Sequence, residues 1–420
     1  MLRRLTAFFS TLGPGLITGA SDDDPSGIST YAIAGASAGF SMLWVALITT
    51  PMMAVIQGMC ARIALVNGVG LATTMKRRLP AWILFPLCVC VVAANTLNAG
   101  ADLEGMAAAA RIVAGGSRFL WDVLFGGALI AITVYLSYRT FYSVVKWLCL
   151  ALFAYVITAF IVRPDWGAVL AHLVIPQIHL SAAWLTTLMA VMGTTITPYL
   201  FFWQAALEIE EQKDAGNTSE RARKEAGPKE IATAHLDVNA GMIFSNAVAV
   251  FIIVTTAATL GAHGSHNITS AADAARALAP LAGRFASLLF AAGMIGTGLL
   301  AIPALVGSSA YVVAEVFGFR RGLDQKPRGA KQFYFALVAG ILVAIGMGLL
   351  RIDPIAALFW SAVINGVVAV PLLAVIVYFA SDKRLMKEWV SSRLARVWGW
   401  ATVVAMALAA IGMFAFWGKS

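Results

Sequence analysis

The sequence predicts an all-α integral membrane protein of eleven spans, the first and sixth of them broken. Three observations carry that reading. Of 420 residues, 60% are apolar and only 12% charged, whereas a soluble domain has about a quarter charged residues. Eleven apolar stretches are each roughly 20 residues or longer, enough to cross a hydrocarbon core of about 30 Å. Proline then interrupts the first and sixth stretches beside polar residues, at Asp24-Pro25 and Thr197-Pro198.

The spans are expected at 8–39, 41–66, 80–111, 119–138, 142–162, 182–210, 236–260, 281–317, 332–350, 354–379 and 397–417. In the first, Asp22-Asp23-Asp24-Pro25-Ser26-Gly27 divides the apolar run. A charged side chain at bilayer depth costs at least about 2.5–3.5 kcal/mol, so such residues are rare and functional by default. Pro25 lacks an N–H and pushes Asp24 out of helical geometry, which frees backbone carbonyls. Such backbone is tolerated in a membrane only where it lines a cavity. Carboxylates beside freed carbonyls make a cation site. The triplet also argues against a cleavable signal, since no small-residue cleavage site follows the first stretch.

Orientation follows from the basic residues. Of the 30 Lys and Arg, 22 fall in segments on the amino-terminal side, seven on the other side, and Arg62 lies within the second span. This bias puts the amino terminus in the cytoplasm and the carboxyl terminus outside, as in a bacterial inner membrane. The net charge of +9 then reflects contact with anionic lipid headgroups, not nucleic acid. The charged, Gly- and Pro-bearing stretch 208–234 reads as a mobile loop.

Cys60, Cys88, Cys90 and Cys149 all fall within apolar spans and read as inert thiols; Cys88 and Cys90 diverge by about 200° on a helix. The five histidines lie in loops or at span ends. No Ser/His/Asp or His/Glu grouping shares one depth, so an enzyme is not expected. Neither is a cofactor.

Spans one to five and six to ten form two candidate halves, over 8–162 and 182–379, with 397–417 outside them in a single domain of 1–420. Each half opens on a proline break, and paired interruptions at corresponding positions point to a transporter site. Five spans per half is odd, so the halves have opposite orientation.

At these residues the chain resembles the Nramp family of divalent-metal transporters. Gly13-Pro14-Gly15 leading to Asp24-Pro25-Ser26-Gly27 is similar to that family's first-span motif, and Gly193-Thr194-Thr195-Ile196-Thr197-Pro198-Tyr199 to its sixth-span motif. The resemblance covers essentially the whole chain. It implies a LeuT-type fold with a five-plus-five inverted repeat, spans one and six unwound at the midplane, and a monomer in the bilayer. It also implies metal held by the first-motif Asp, backbone carbonyls and the second motif.

The departures define the expected ion. Gly27 stands where the family has Asn, Thr197 where it has a metal-binding Met, and Tyr199 and Gln204 where it has His. Thioethers select softer metals, whereas hydroxyl, carboxylate and water suit Mg²⁺. The pattern resembles the Nramp-related magnesium transporter branch. In the third span Asn95, Asn98 and Asp102 share one helical face at i, i+3 and i+7. Asp102 aligns with the family's acidic position, and Glu104, about 200° away, has no counterpart. Either acid is a site residue or is paired with an arginine. The expected metal ligands are Asp24, Ser26, Gly27, Thr194, Thr197, Asp102 and Glu104, with Asp23 in electrostatic support.

The predicted function is import of a hard divalent cation, Mg²⁺ with Mn²⁺ second, without a proton partner. Three alternatives stand beside it: proton-coupled Mn²⁺/Fe²⁺ uptake, sodium-coupled carriage of a small organic solute, and transport of a trivalent ion.

Overall fold

The computed structural model describes residues 14–135, 151–224, 227–264, 268, 270–323, 325–350 and 352–417. The expectations for span residues 8–13 and 136–150, and for Arg3, Arg4, Arg139, Lys146, Cys149, His266, Arg351 and Lys419, lie outside them. Regular structure among the described residues is entirely helical.

The first span is two helices, α1 (Pro14–Asp22) and α2 (Pro25–Ala38). The second is α3 (Leu43–Asn67), followed by the short α4 (Leu71–Arg78), and the third is α5 (Ala81–Ala114). Then come α6 (Arg118–Tyr135), α7 (Phe153–Val162) and the short α8 (Trp166–Val174). The sixth span is again two helices, α9 (Ala182–Thr195) and α10 (Pro198–Asp214). A short α11 (Glu220–Arg223) precedes α12 (Pro228–Thr259), α13 (Ala286–Phe317), α14 (Lys331–Met347), α15 (Pro354–Ser381) and α16 (Arg393–Phe416).

Both breaks have the same local cause. Asp24 (φ −76°, ψ 169°) and Thr197 (φ −105°, ψ 140°) are extended, and each is followed by a proline in the first helical turn. Steric pressure from the proline ring excludes helical geometry in the preceding residue, while proline itself suits a helix start. Proline alone does not suffice. Pro51, Pro86, Pro303 and Pro371 sit inside α3, α5, α13 and α15, which run on. What differs at Asp24 is a side chain that caps the new helix by accepting from the Gly27 amide.

Two short helices escape the hydropathy reading because they lie between spans. α4 carries Lys76, Arg77 and Arg78 in its last turn, where they complement the helix dipole. α8 is started by Asp165, which accepts from the amides of Gly167 and Ala168. The stretch after α10 also departs from the mobile loop expected. Arg223 donates from Nε to the Gly68 carbonyl at 2.9 Å and from Nη1 to Thr218 at 2.7 Å. Arg77 makes a two-pronged pair with Glu220 at 2.8 and 2.9 Å. That guanidinium holds the Glu220 carboxyl down at about 2. A depressed carboxyl stabilises above its ordinary range and loses that contribution as pH falls, so the strap weakens progressively from the ordinary carboxyl range down to about pH 2.

The broken spans are packed at the centre. α1 lies along α12, α2 against α12, α9 and α15, α9 along α15, and α5 along α13. Arg62 inside α3 reaches the His235 ring on α12. Glycine permits two close helix–helix approaches. A Cβ on Gly19 would overlap the Gly241 backbone of α12, and one on Gly193 would overlap Ala362 and Gly366 of α15.

Gly19→Ala and Gly193→Ala should therefore each cost about 1–3 kcal/mol through overpacking. Gly127→Ala, with nothing within 4 Å of the added methyl, should be neutral or gain up to about 1 kcal/mol. Thermal melts of the purified protein in detergent would compare them, and equal melting for all three contradicts the packing.

Candidate functional site

The side chain of Asp24 turns from the break toward α5. Its Oδ1 accepts from the Ser26 hydroxyl at 2.7 Å and the Gly27 amide at 2.6 Å, and its Oδ2 from Asn98 Nδ2 at 2.9 Å. One turn along α5, Asp102 Oδ1 accepts from the Ser26 amide at 3.1 Å. Ser26 therefore joins two carboxylates from different helices. Asp24 is 2% exposed and Asp102 fully buried.

The sixth span closes the site from the other side. A Cβ built on Gly27 would stand 3.3 Å from both Asp24 Oδ1 and Thr194 Oγ1, so these groups converge on the glycine. Thr197, also buried, holds the second break. Tyr31 on α2 and Thr195 on α9 share a hydrogen bond of 2.9 Å, and Tyr199 on α10 donates to the Ser21 carbonyl at 2.6 Å. Both broken spans are thus stitched to each other around the gap.

Several oxygens here have no partner: Asp102 Oδ2, Asn98 Oδ1, Thr194 Oγ1 and Thr197 Oγ1. Leaving a buried acceptor unpaired costs about 1–3 kcal/mol, and more for a charged group. Among the described residues no Lys, Arg or His pairs with Asp22, Asp23, Asp24 or Asp102. Groups of three or more His, Cys, Asp and Glu suited to a metal are also absent from the described residues. The donors at the breaks are two carboxylates with amide and hydroxyl oxygens, a set that fits a hard cation keeping part of its water.

The sequence-predicted residues divide. Asp24, Ser26, Gly27, Asp102 and Thr194 are brought together, and Thr197 lies at the facing break. Glu104 is not with them. Its Oε2 meets Arg118 Nε at 3.1 Å, and a Cβ on Gly348 would lie 2.7 Å from both Glu104 Oε1 and Asp122 Oδ2. The arginine alternative holds for Glu104, whose offset from Asp102 turns it toward α6. Asp23 also points away, to Ser245 on α12 at 3.1 Å.

Asn98, which donates to Asp24, is missing from the expected ligand set. Its spacing with Asp102 was the signal for it. The same face does not stay together, because Asn95 donates to Ser309 of α13 at 3.2 Å. Asn246 is an interhelical partner, with Thr49 Oγ1 3.4 Å from its carbonyl oxygen.

Two cavities lie at opposite ends of the first span. One of 1070 Å³ touches Ile33, Ser37 and Ala38 at the far end of α2, with Trp184, Trp360 and Trp417. The other, of 270 Å³, touches Pro14 at the start of α1, with Glu208, Glu211 and Asp237. Asp24 lies between them, shut from both.

Known proteins agree with this architecture. The family model described as natural resistance-associated macrophage protein-like (Nramp) matches residues 15–415. A protein of Deinococcus radiodurans named divalent metal cation transporter MntH is 25% identical, the match covering 99% of this chain and 91% of that one. Its namesake in Erwinia tasmaniensis is 28% identical over 95% of this chain and 92% of its own. Among solved structures, the manganese transporter of Eremococcus coleocola, in complex with an aromatic bis-isothiourea substituted compound, superposes with a TM-score of 0.74. It is 19% identical, with coverage of 98% and 88%. MhsT in complex with L-phenylalanine superposes at 0.58, with 14% identity and coverage of 96% and 98%. The fold is the LeuT type, and the chain belongs to the Nramp family of multi-pass membrane proteins.

Proposed function

We propose that this chain moves a hard divalent cation across the membrane, Mg²⁺ ahead of Mn²⁺, as a partly hydrated ion and without a proton partner. The observation that carries the reading is the donor set. Asp24, Asp102, Asn98, Thr194 and Thr197 offer only oxygen, much of it unpartnered, and no sulfur or imidazole stands among them. Oxygen donors suit Mg²⁺, while a thioether would favour softer metals.

The proposed absence of proton coupling is supported by the two positions where the family has histidine. Tyr199 spends its hydroxyl proton on the Ser21 carbonyl, and Gln204 donates to Glu208 at 2.8 Å. A doubly charged ion gains about 4.6 kcal/mol per 100 mV of membrane potential, enough to drive accumulation unaided. The basic bias puts the amino terminus in the cytoplasm, so the negative interior draws the ion inward. Manganese is the second reading, favoured by the whole-chain likeness to proteins named for it.

Asp24→Ala should abolish uptake into proteoliposomes. Asp102→Ala should lower affinity by about 10- to 100-fold, a smaller loss than at Asp24, which stands at the break itself. Glu104→Ala should cost less than either. Wild-type rates for Asp24→Ala would refute the site.

Uptake of Mg²⁺ should follow an imposed potential and leave the lumen pH unchanged. Metal-dependent acidification of the vesicles would show the uncoupled reading to be wrong.

Thr197→Met together with Gly27→Asn should shift preference toward Mn²⁺ and Cd²⁺. The shift should be partial, since the Asn side chain enters space within 3.3 Å of Asp24 and Thr194. Competition of Mg²⁺ against Mn²⁺ in both proteins measures it. A wild type that carries Mn²⁺ and excludes Mg²⁺ would establish the manganese reading instead.

A further inference from the structure

The aspartate triplet faces two ways. Asp22 and Asp24 are separated by about 200° along a helix, and the break preserves that divergence. Asp24 serves α5, whereas Asp22 and Asp23 serve α12. There Ser245 Oγ lies 2.5 Å from Asp22 Oδ2 and 3.1 Å from Asp23 Oδ1. A serine hydroxyl has one hydrogen and can donate it once. Asp22 Oδ1 and Asp23 Oδ2 have no partner at all, although the two residues are only 1% and 2% exposed.

Neighbouring polar groups are committed elsewhere. Tyr199 donates to the Ser21 carbonyl, Tyr31 pairs with Thr195, and Asn246 donates to the Met242 carbonyl. No Lys, Arg or His among the described residues pairs with Asp22 or Asp23. A divalent ion at Asp24 and Asp102 would match only those two charges. Two more carboxylates remain, and one oxygen of each meets the Ser245 hydroxyl across the contact with α12.

We infer that Asp22, Asp23 and Ser245 hold a second hard divalent cation, beside the ion bound at the break. Two carboxylates match its charge, and the donor set is entirely oxygen, as hard ions require. Ser245 supplies a lone pair, and the two unpartnered oxygens supply the rest. The inference rests on the reading of Asp24 and Asp102 as the transport site, and it gives the first two aspartates a role separate from transport-site coordination. Two ions held on opposite sides of one broken span repel, which favours release of either, as between adjacent sites in a channel.

Calorimetric titration of the purified full chain with Mg²⁺ tests this. Two ions should bind to the wild type, one to Asp22→Asn/Asp23→Asn, and one to Asp24→Asn. Ser245→Ala should weaken one of the two events by about tenfold, the size expected for a lost ligand-shell partner. Electron paramagnetic resonance with Mn²⁺ as probe should show dipolar broadening in the wild type that vanishes in Asp22→Asn/Asp23→Asn, whose folding is checked by its melting temperature. A single ion, kept in Asp22→Asn/Asp23→Asn and lost in Asp24→Asn, would overturn the second site and leave the transport site standing. A single ion with the opposite dependence would overturn the transport site instead. Sodium displacing only the second event would overturn its assignment as divalent.

Discussion

Buried carboxylates without a cationic partner are the constraint on which this structure depends. Four aspartates, Asp22, Asp23, Asp24 and Asp102, are at most 2% exposed, and each charge taken out of water carries a penalty of several kcal/mol. A protein built only to be stable would place apolar side chains there. The fold instead spends two helix breaks, a cap on Gly27 and an asparagine from α5 to organise them. The natural counterpart is a mobile positive charge that enters and leaves, and cavities lie at either end of the first span, with Asp24 shut from both.

The break itself is a matter of local chemistry and was legible in the sequence. An extended residue before proline, preceded by polar side chains, predicts the ends of α1 and α9. The continuous helices through Pro51, Pro86, Pro303 and Pro371 show the limit of that rule. Proline is accommodated unless the residue ahead of it has a reason to leave the helix. At Asp24 the reason is the cap. At Thr197 no cap bond forms, and the facing hydroxyl is left for another partner.

Other features needed the third dimension. Glu104 and Asp102 lie two residues apart, and only the position of Arg118 on α6 shows that one carboxylate is ion-paired and the other is not. Asn98 shares the Asp102 face by spacing, yet spacing could not separate it from Asn95, which packs on Ser309. The division of Asp22 and Asp23 from Asp24 depends on Ser245, more than 220 residues away in sequence. The strap of Arg223 and Glu220 onto α3 and α4 was hidden for a different reason: a polar, glycine-bearing segment looks mobile until its long-range partners are known. Hydropathy located most of the spans because lipid imposes one rule on all of them. Partners across the bundle obey no such rule.

Crystals of the full chain soaked in Mn²⁺, an anomalous scatterer standing in for Mg²⁺, give the most direct measurement. An anomalous peak between Asp24 and Asp102, on the side facing Thr194 and Thr197, is the predicted result. Saturated crystals with no peak there, or with one only among Glu104, Arg118 and Asp122, would contradict the assignment of the broken spans as the ion site.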